Sequence, residues 1–208
     1  MFWACFFIAI FAVVIWFWAT ARHMVRASQG PEIGPRRGSA LLLVDLQRAV
    51  WRDRSYDATT RARVEAAIAR EVTQAQFEDQ PVVALRHEWS GVAPRVIAHV
   101  TRNGAAMKGS PEAGLAAPFV DMPDHVLVKR VEDGFETGAL DALFDVLGVG
   151  AVRIVGCDGV HAVARTAQGA LNRGYAVTLV GDAIATGQPD AFTPVAAALV
   201  SQGAQLRR

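Results

Sequence analysis

The sequence predicts an α/β domain of three layers, a mostly parallel sheet of about six strands flanked by helices, preceded by one N-terminal transmembrane helix. Three observations carry this expectation. Short apolar runs rich in β-branched residues recur between breakers, as strands buried on both faces require. Segments with apolar residues at helical spacing lie between them, so strand and helix alternate. The first 20 residues hold no charged side chain.

That opening stretch, MFWACFFIAIFAVVIWFWAT, has the length of the hydrocarbon thickness of a bilayer when helical. Trp3, Trp16 and Trp18 stand near its ends, where indole rings favour the interface. Ala19-Thr20-Ala21 fits a small-residue cleavage pattern, but the apolar run is long for a signal peptide and no basic residue precedes it. The expectation is an uncleaved anchor over residues 1–21. Arg22, Arg26, Arg36 and Arg37 follow it, so the positive-inside rule places the C-terminal domain in the cytoplasm. Residues 22–39, RHMVRASQGPEIGPRRGS, are basic and broken by Gly and Pro, and read as a juxtamembrane linker whose arginines can rest on anionic headgroups.

Residues 40–208 then form the folded domain, long enough to bury a full core. Its predicted strands are ALLLVDL (40–46), PVVALR (81–86), HVLVKR (125–130), AVRIVG (151–156) and YAVTLVG (175–181), with AQLRR (204–208) as a weak sixth. Val64, Ile68, Val72 and Ala75 repeat at helical spacing after a cap at Thr59 or Thr60. Leu140, Leu143, Phe144 and Leu147 repeat so after a Thr137 cap and before a stop at Gly148. Val163, Ala167, Ala170 and Leu171 do so before Gly174. A net charge of +1 without a basic stripe excludes nucleic acid as the main partner. The two cysteines, Cys5 in the apolar span and Cys157 in the domain, argue against an internal disulfide.

In a parallel sheet, ligands bind in the crevice outside the carboxyl ends of the strands. Asp45 ends the first predicted strand, Lys129 ends the third, and the loop over residues 156–162 joins the fourth to a helix. A carboxylate at the end of a buried strand costs several kcal/mol unless paired or hydrogen-bonded. An Asp45–Lys129 pair meets that demand as a plain ion pair. It also meets it as a tuned proton-transfer group beside a helix N-terminus whose N–H groups stabilise an oxyanion.

LLLVDLQ, RHE, KGSPEAGL, VLVKR, GFETGALDALFDVLGV and VGCDGVHAVARTAQGALNRGYAVTLVGDAIAT, in that order, resemble the isochorismatase-like (cysteine hydrolase) superfamily over about residues 40–186. The resemblance implies that superfamily's six-stranded fold and hydrolysis of a small molecule without a cofactor. Amidases of the family combine an Asp closing the first strand, a Lys closing the third and a Cys four residues before a Thr-Ala pair. Those positions are Asp45, Lys129 and Ala162, so the catalytic set carries alanine where the thiol belongs. Isochorismatases proper also lack that Cys and use the Asp as an acid, with attack by water. The resemblance therefore implies acid/base chemistry at Asp45, with Lys129 setting its charge and the backbone N–H groups of His161 and Ala162 as an oxyanion site. The alternative is a catalytically silent, membrane-tethered binding or scaffold protein.

Cys157 lies five residues upstream of Ala162, away from any helix N-terminus, and reads as a small pocket-wall or core residue. His161 is read either as a pocket residue or as an ordinary surface one; isochorismatases carry a His one position earlier, about 100° away around a helix. Gln47, Trp51, His87, Phe135, Cys157 and Asp158 are further possible pocket residues. Nicotinamidases of the family bring an Asp and two His together, whereas Asp53, Asp57, His87 and Glu88 lack metal-ligand spacing, so no metal is expected. The resemblance also implies a homo-oligomer, which tethering in one membrane plane would favour.

Overall fold

The molecule, a computed structural model, is described over residues 2–52, 56–91, 94, 96 and 106–207. Asp53, weighed above as a metal ligand, lies outside the described residues, as do the side chains of Trp3 and Cys5.

Strands β1 (Gly38–Val44), β2 (Val82–His87), β3 (His125–Lys129), β4 (Val149–Gly156), β5 (Ala176–Ile184) and β6 (Gln205–Arg207) form one sheet. Every pairing is parallel, in the order β3-β2-β1-β4-β5-β6. The six predicted strands are present, their ends shifted by no more than three residues. The order reverses between β1 and β4, which makes the carboxyl ends of those two strands the topological switch point.

Helices α1 (Phe2–Met24), α2 (Arg48–Trp51), α3 (Ala58–Phe77), α4 (Ala139–Val146), α5 (Ala164–Leu171) and α6 (Pro189–Ser201) accompany the sheet, with two 3-10 turns at Pro111–Ala113 and Ala117–Phe119 and a π-turn at Gly159–Val163 opening α5. Alternation along β1 sends Leu41 and Leu43 to one face and Leu42 and Val44 to the other. Leu41 and Leu43 join Val64, Ile68 and Val72 of α3. Leu42 and Val44 join Leu140 and Phe144 of α4 and Ala167 and Ala170 of α5. Each such leucine, fully buried, contributes about 1.5–3 kcal/mol.

Two helix starts differ from expectation. Asp57, not Thr59 or Thr60, caps α3, because its carboxylate accepts from the Thr60 N–H at 2.6 Å. Gly138, in the left-handed region at φ 74°, caps α4. Thr137 stands one residue outside that cap and accepts from the Ala139 N–H at 3.3 Å.

The segment between α1 and β1, read from sequence as a linker, is hydrogen-bonded to the domain along its length. Helix α1 continues to Met24, which is buried with Trp89, Ala106 and Val131. Its carbonyl accepts from the Glu132 N–H at 3.0 Å. Beyond it, the Ser28 N–H and Oγ both donate to Asp133 Oδ2 at 2.6 Å. Asn172 Nδ2 donates to the Ser28 carbonyl at 2.9 Å, Ile33 N–H to the Arg173 carbonyl at 2.8 Å, and Arg36 to Asp145 Oδ1 at 2.6 Å. Gly30 lies so close that a Cβ would fall 2.5 Å from Arg173 Nε. Buried Asp133 and Arg173 on the domain find partners in this stretch, which is a strap rather than a free spacer.

Candidate active site

β1 stops at Val44 because Asp45 turns into the left-handed region, at φ 49°. β2 lies between β1 and β3, so the Lys129 side chain reaches over the end of β2 to meet Asp45. Nζ donates to Asp45 Oδ2 at 2.8 Å, and to the Val131 and Glu132 carbonyls at 3.2 Å each. Lys129 is 1% exposed and Asp45 7%, so the pair is buried, and its attraction must offset several kcal/mol of desolvation. Asp45 and Lys129 therefore meet as the sequence reading expected.

The switch-point loop follows β4. The Cys157 N–H donates to the Val44 carbonyl at 2.9 Å and its thiol to the Asp45 carbonyl at 3.2 Å. Cys157 is fully buried in the layer beneath α3, so it is core and not pocket wall. Burial pushes its thiol well above the usual range, and the Asp45 and Asp158 charges push the same way. The Cys157–Asp158 peptide is cis. Asp158 is the cap of the π-turn rather than an open pocket group. Its Oδ1 accepts from the Val160 N–H at 2.9 Å, and its Oδ2 from Tyr56 Oη at 3.1 Å and the Gly187 N–H at 3.0 Å.

Ala162 sits inside the π-turn, 4% exposed, in the core layer that also holds Val44, Leu85 and Phe135. The His161 N–H donates to the Asp158 carbonyl at 3.2 Å, so that half of the expected oxyanion pair is already engaged within the turn. Its imidazole is half-exposed, with Nδ1 3.5 Å from Glu132 Oε1. Arg165 Nε stands 3.8 Å from the other oxygen of Glu132. Glu132 was missed from sequence, although it follows Lys129 by three residues in VKRVED. Its segment is held by Thr166, whose Oγ1 accepts from the Gly134 N–H at 3.1 Å. Gly134 is required there, since a Cβ would fall 2.4 Å from Leu85 Cδ1.

The remaining pocket expectations divide. His87 lies at the carboxyl end of β2, in register with Lys129, its ring 4.1 Å from that of Trp89. Gln47 is a brace: Nε2 donates to the His87 and Ala113 carbonyls at 2.8 and 2.7 Å, and Oε1 accepts from the His87 N–H at 2.7 Å. Trp51 is core, with Nε1 on Glu65 at 2.9 Å and its ring edge-on to Phe119 at 5.0 Å. Phe135 is core too, between Phe144 and Tyr175 and under the Arg173 guanidinium at 4.8 Å. Among the described residues no three His, Cys, Asp or Glu side chains converge as metal ligands. Asp57 is engaged as a helix cap and Glu88 pairs with Arg86 at 2.9 Å.

Residues 39–207 match the isochorismatase domain family. A streptothricin hydrolase of Streptomyces noursei is 38% identical over 86 residues, which are 39% of this chain and 31% of that protein. An N-carbamoylsarcosine amidase of Thermoplasma acidophilum is 25% identical, with TM-score 0.67 over 83% of this chain and 96% of its own. A nicotinamidase of Bacillus subtilis shares the fold at TM-score 0.73 and 14% identity, over 83% of this chain and all of its own. A pyrazinamidase of Pyrococcus horikoshii in complex with zinc does so at 0.66 and 21%, over 83% and 99%.

Proposed function

The chain belongs to the isochorismatase domain family of small-molecule hydrolases, and on that premise we propose a membrane-anchored hydrolase that works through Asp45 without a cysteine nucleophile. The observation that carries the reading is the buried Asp45–Lys129 pair at the strand ends, beside a π-turn whose thiol position is Ala162. Without a thiol there is no covalent acyl step, so water attacks directly. Asp45 gives its proton to the substrate, or takes one from the water, and Lys129 holds the carboxylate in place and balances its charge. A hydrolase and an amidase among the similar proteins support hydrolysis as the reaction class.

The anchoring half rests on α1, whose segment Phe6–Met24 has a mean hydropathy of 1.7 and exposes Phe7, Phe11 and Trp18. Such a run laid open to water is unfavourable, and a bilayer removes the cost. The arginines after it favour a cytoplasmic domain.

The test is a hydrolysis screen of the full-length protein against amides, ureas and vinyl ethers, with thermal stabilisation read in parallel. Asp45→Asn is expected to lower turnover by about 10²–10⁴-fold. Turnover that survives Asp45→Asn sinks the assignment. One observation favours the silent-scaffold reading: Lys129 Nζ already has three acceptors, as a purely structural lysine would. Ligands that stabilise the chain without being hydrolysed would establish it.

A further inference from the structure

We propose that a phosphate-bearing anion binds in the cavity between the end of α1, the strap and α5. This open cavity of about 650 Å³ is lined by Trp18, Arg22, His23, Arg26 and Arg165, with small apolar residues between them and no carboxylate. It lies outside the Asp45–Lys129 site and brings the continuous stretch from Trp18 to Ala27 together with Arg165 of α5. Among the described residues, neither Arg22 nor Arg26 forms an ion pair. Arg22 lies over the Trp18 ring at 4.7 Å, a contact that orients its guanidinium without neutralising it. Arg165 Nε stands 3.8 Å from Glu132 Oε2, beyond hydrogen-bond reach, and the Arg165 side chain is 43% exposed.

Among the described residues, Arg22 and Arg26 line this cavity without a carboxylate partner and Arg165 has only the distant Glu132, so an anion there gains attraction from all three. Phosphate fits best by geometry: its oxygens accept paired N–H bonds from planar guanidinium forks, and three arginines can share them. The source follows from position. Trp18 and the apolar face of α1 set the cavity at the depth of lipid phosphates, so a phospholipid headgroup is the ligand. That choice of source rests on the anchoring proposed above; the phosphate site itself does not. Arg22 and Arg26 alone would describe any basic flank of a membrane helix. Arg165 belongs to the folded domain, on the helix that the π-turn opens, and its participation separates a built site from general attraction.

Native mass spectrometry of the full-length protein in mild detergent, mixed with phosphatidic acid or phosphatidylcholine, reads the lipid arm. Thermal unfolding with inorganic phosphate reads the soluble arm. The expected result is selective retention of phosphatidic acid, weakened about fivefold by Arg26→Gln and again by Arg165→Gln. Arg70→Gln, an exposed arginine on α3, should leave retention unchanged. Stabilisation by phosphate that Arg165→Gln removes, with no lipid selectivity, supports the site with a soluble ligand. Equal retention of both lipids without phosphate stabilisation overturns the proposal, as does wild-type behaviour of Arg165→Gln in both arms. Arg26 lies on the exposed strap, so its variant reads binding even if Arg165→Gln disturbs α5. Release of the chain from membranes by alkaline carbonate would refute the anchor, while the phosphate arm would still report on the cavity.

Discussion

Asp45 and Lys129 carry the proposed chemistry together, and each constrains the other energetically. Removing one member of a buried pair strands its partner, so Lys129→Met should cost about 3–5 kcal/mol in denaturant unfolding. The double variant Asp45→Asn/Lys129→Met should recover part of that loss; strict additivity would show that the two are not coupled. The two thiol positions allow a second comparison. Cys157, buried and facing Asp45, should resist alkylation in the folded chain in a Cys5→Ser background. A thiol introduced by Ala162→Cys, inside the turn that opens α5, should react faster than Cys157 by maleimide labelling; equal inertness would contradict the nucleophile-position assignment. Asp45 and Lys129 were legible because each closes an apolar run whose order along the chain resembles a known pattern. Gln47, Trp51, Phe135 and Asp158 were read as pocket residues, yet their partners are Ala113, Glu65, Tyr175 and Gly187, distant segments that no local spacing reveals. Glu132 escaped notice because its neighbour His161 lies 29 positions away in sequence.

The strap is the element that local sequence described least well. Its Gly, Pro and Arg content is that of a flexible spacer, but the hydrogen bonds that fix it are supplied by Asp133, Asn172 and Arg173 of the domain. The strands, by contrast, announce themselves through burial on both faces and were located almost in full. Burial raises the Asp133 carboxyl above its usual value; the Phe135 N–H, both Ser28 donors and Arg173 lower it by less. The folded chain thus holds this proton at a pH where the unfolded chain has lost it. The group's contribution to stability is largest below the unfolded value of about 3.9 and falls as pH rises to the folded value. Melting temperatures of wild type and Asp133→Asn, compared across pH, should show wild type losing ground over that window; a constant difference would contradict the linkage. Ser28→Ala removes one bond to the carboxylate and should cost about 1–3 kcal/mol, with faster tryptic cleavage at Arg36 or Arg37 as the local readout.

At the scale of the whole molecule, the topology and the proposed anchoring point the same way. Met24 packs against Trp89 and Val131, which follow the carboxyl ends of β2 and β3, so the end of α1 meets the domain on the face where Asp45 and Lys129 lie. If α1 spans a bilayer with its N-terminus outside, protease added to inverted vesicles should digest the domain, and right-side-out vesicles should protect it. The reverse pattern would overturn the orientation. The docking of Met24 has a further consequence, one of rotational diffusion. With Met24 at the helix end buried in the domain and the strap hydrogen-bonded to it at Ser28, the tether has little slack. If α1 spans a bilayer, the domain cannot tumble about a loose joint and turns only as fast as its helix spins there. A fluorophore placed at exposed Phe77 should therefore lose its polarisation in one slow phase, without the fast component of a domain on a leash.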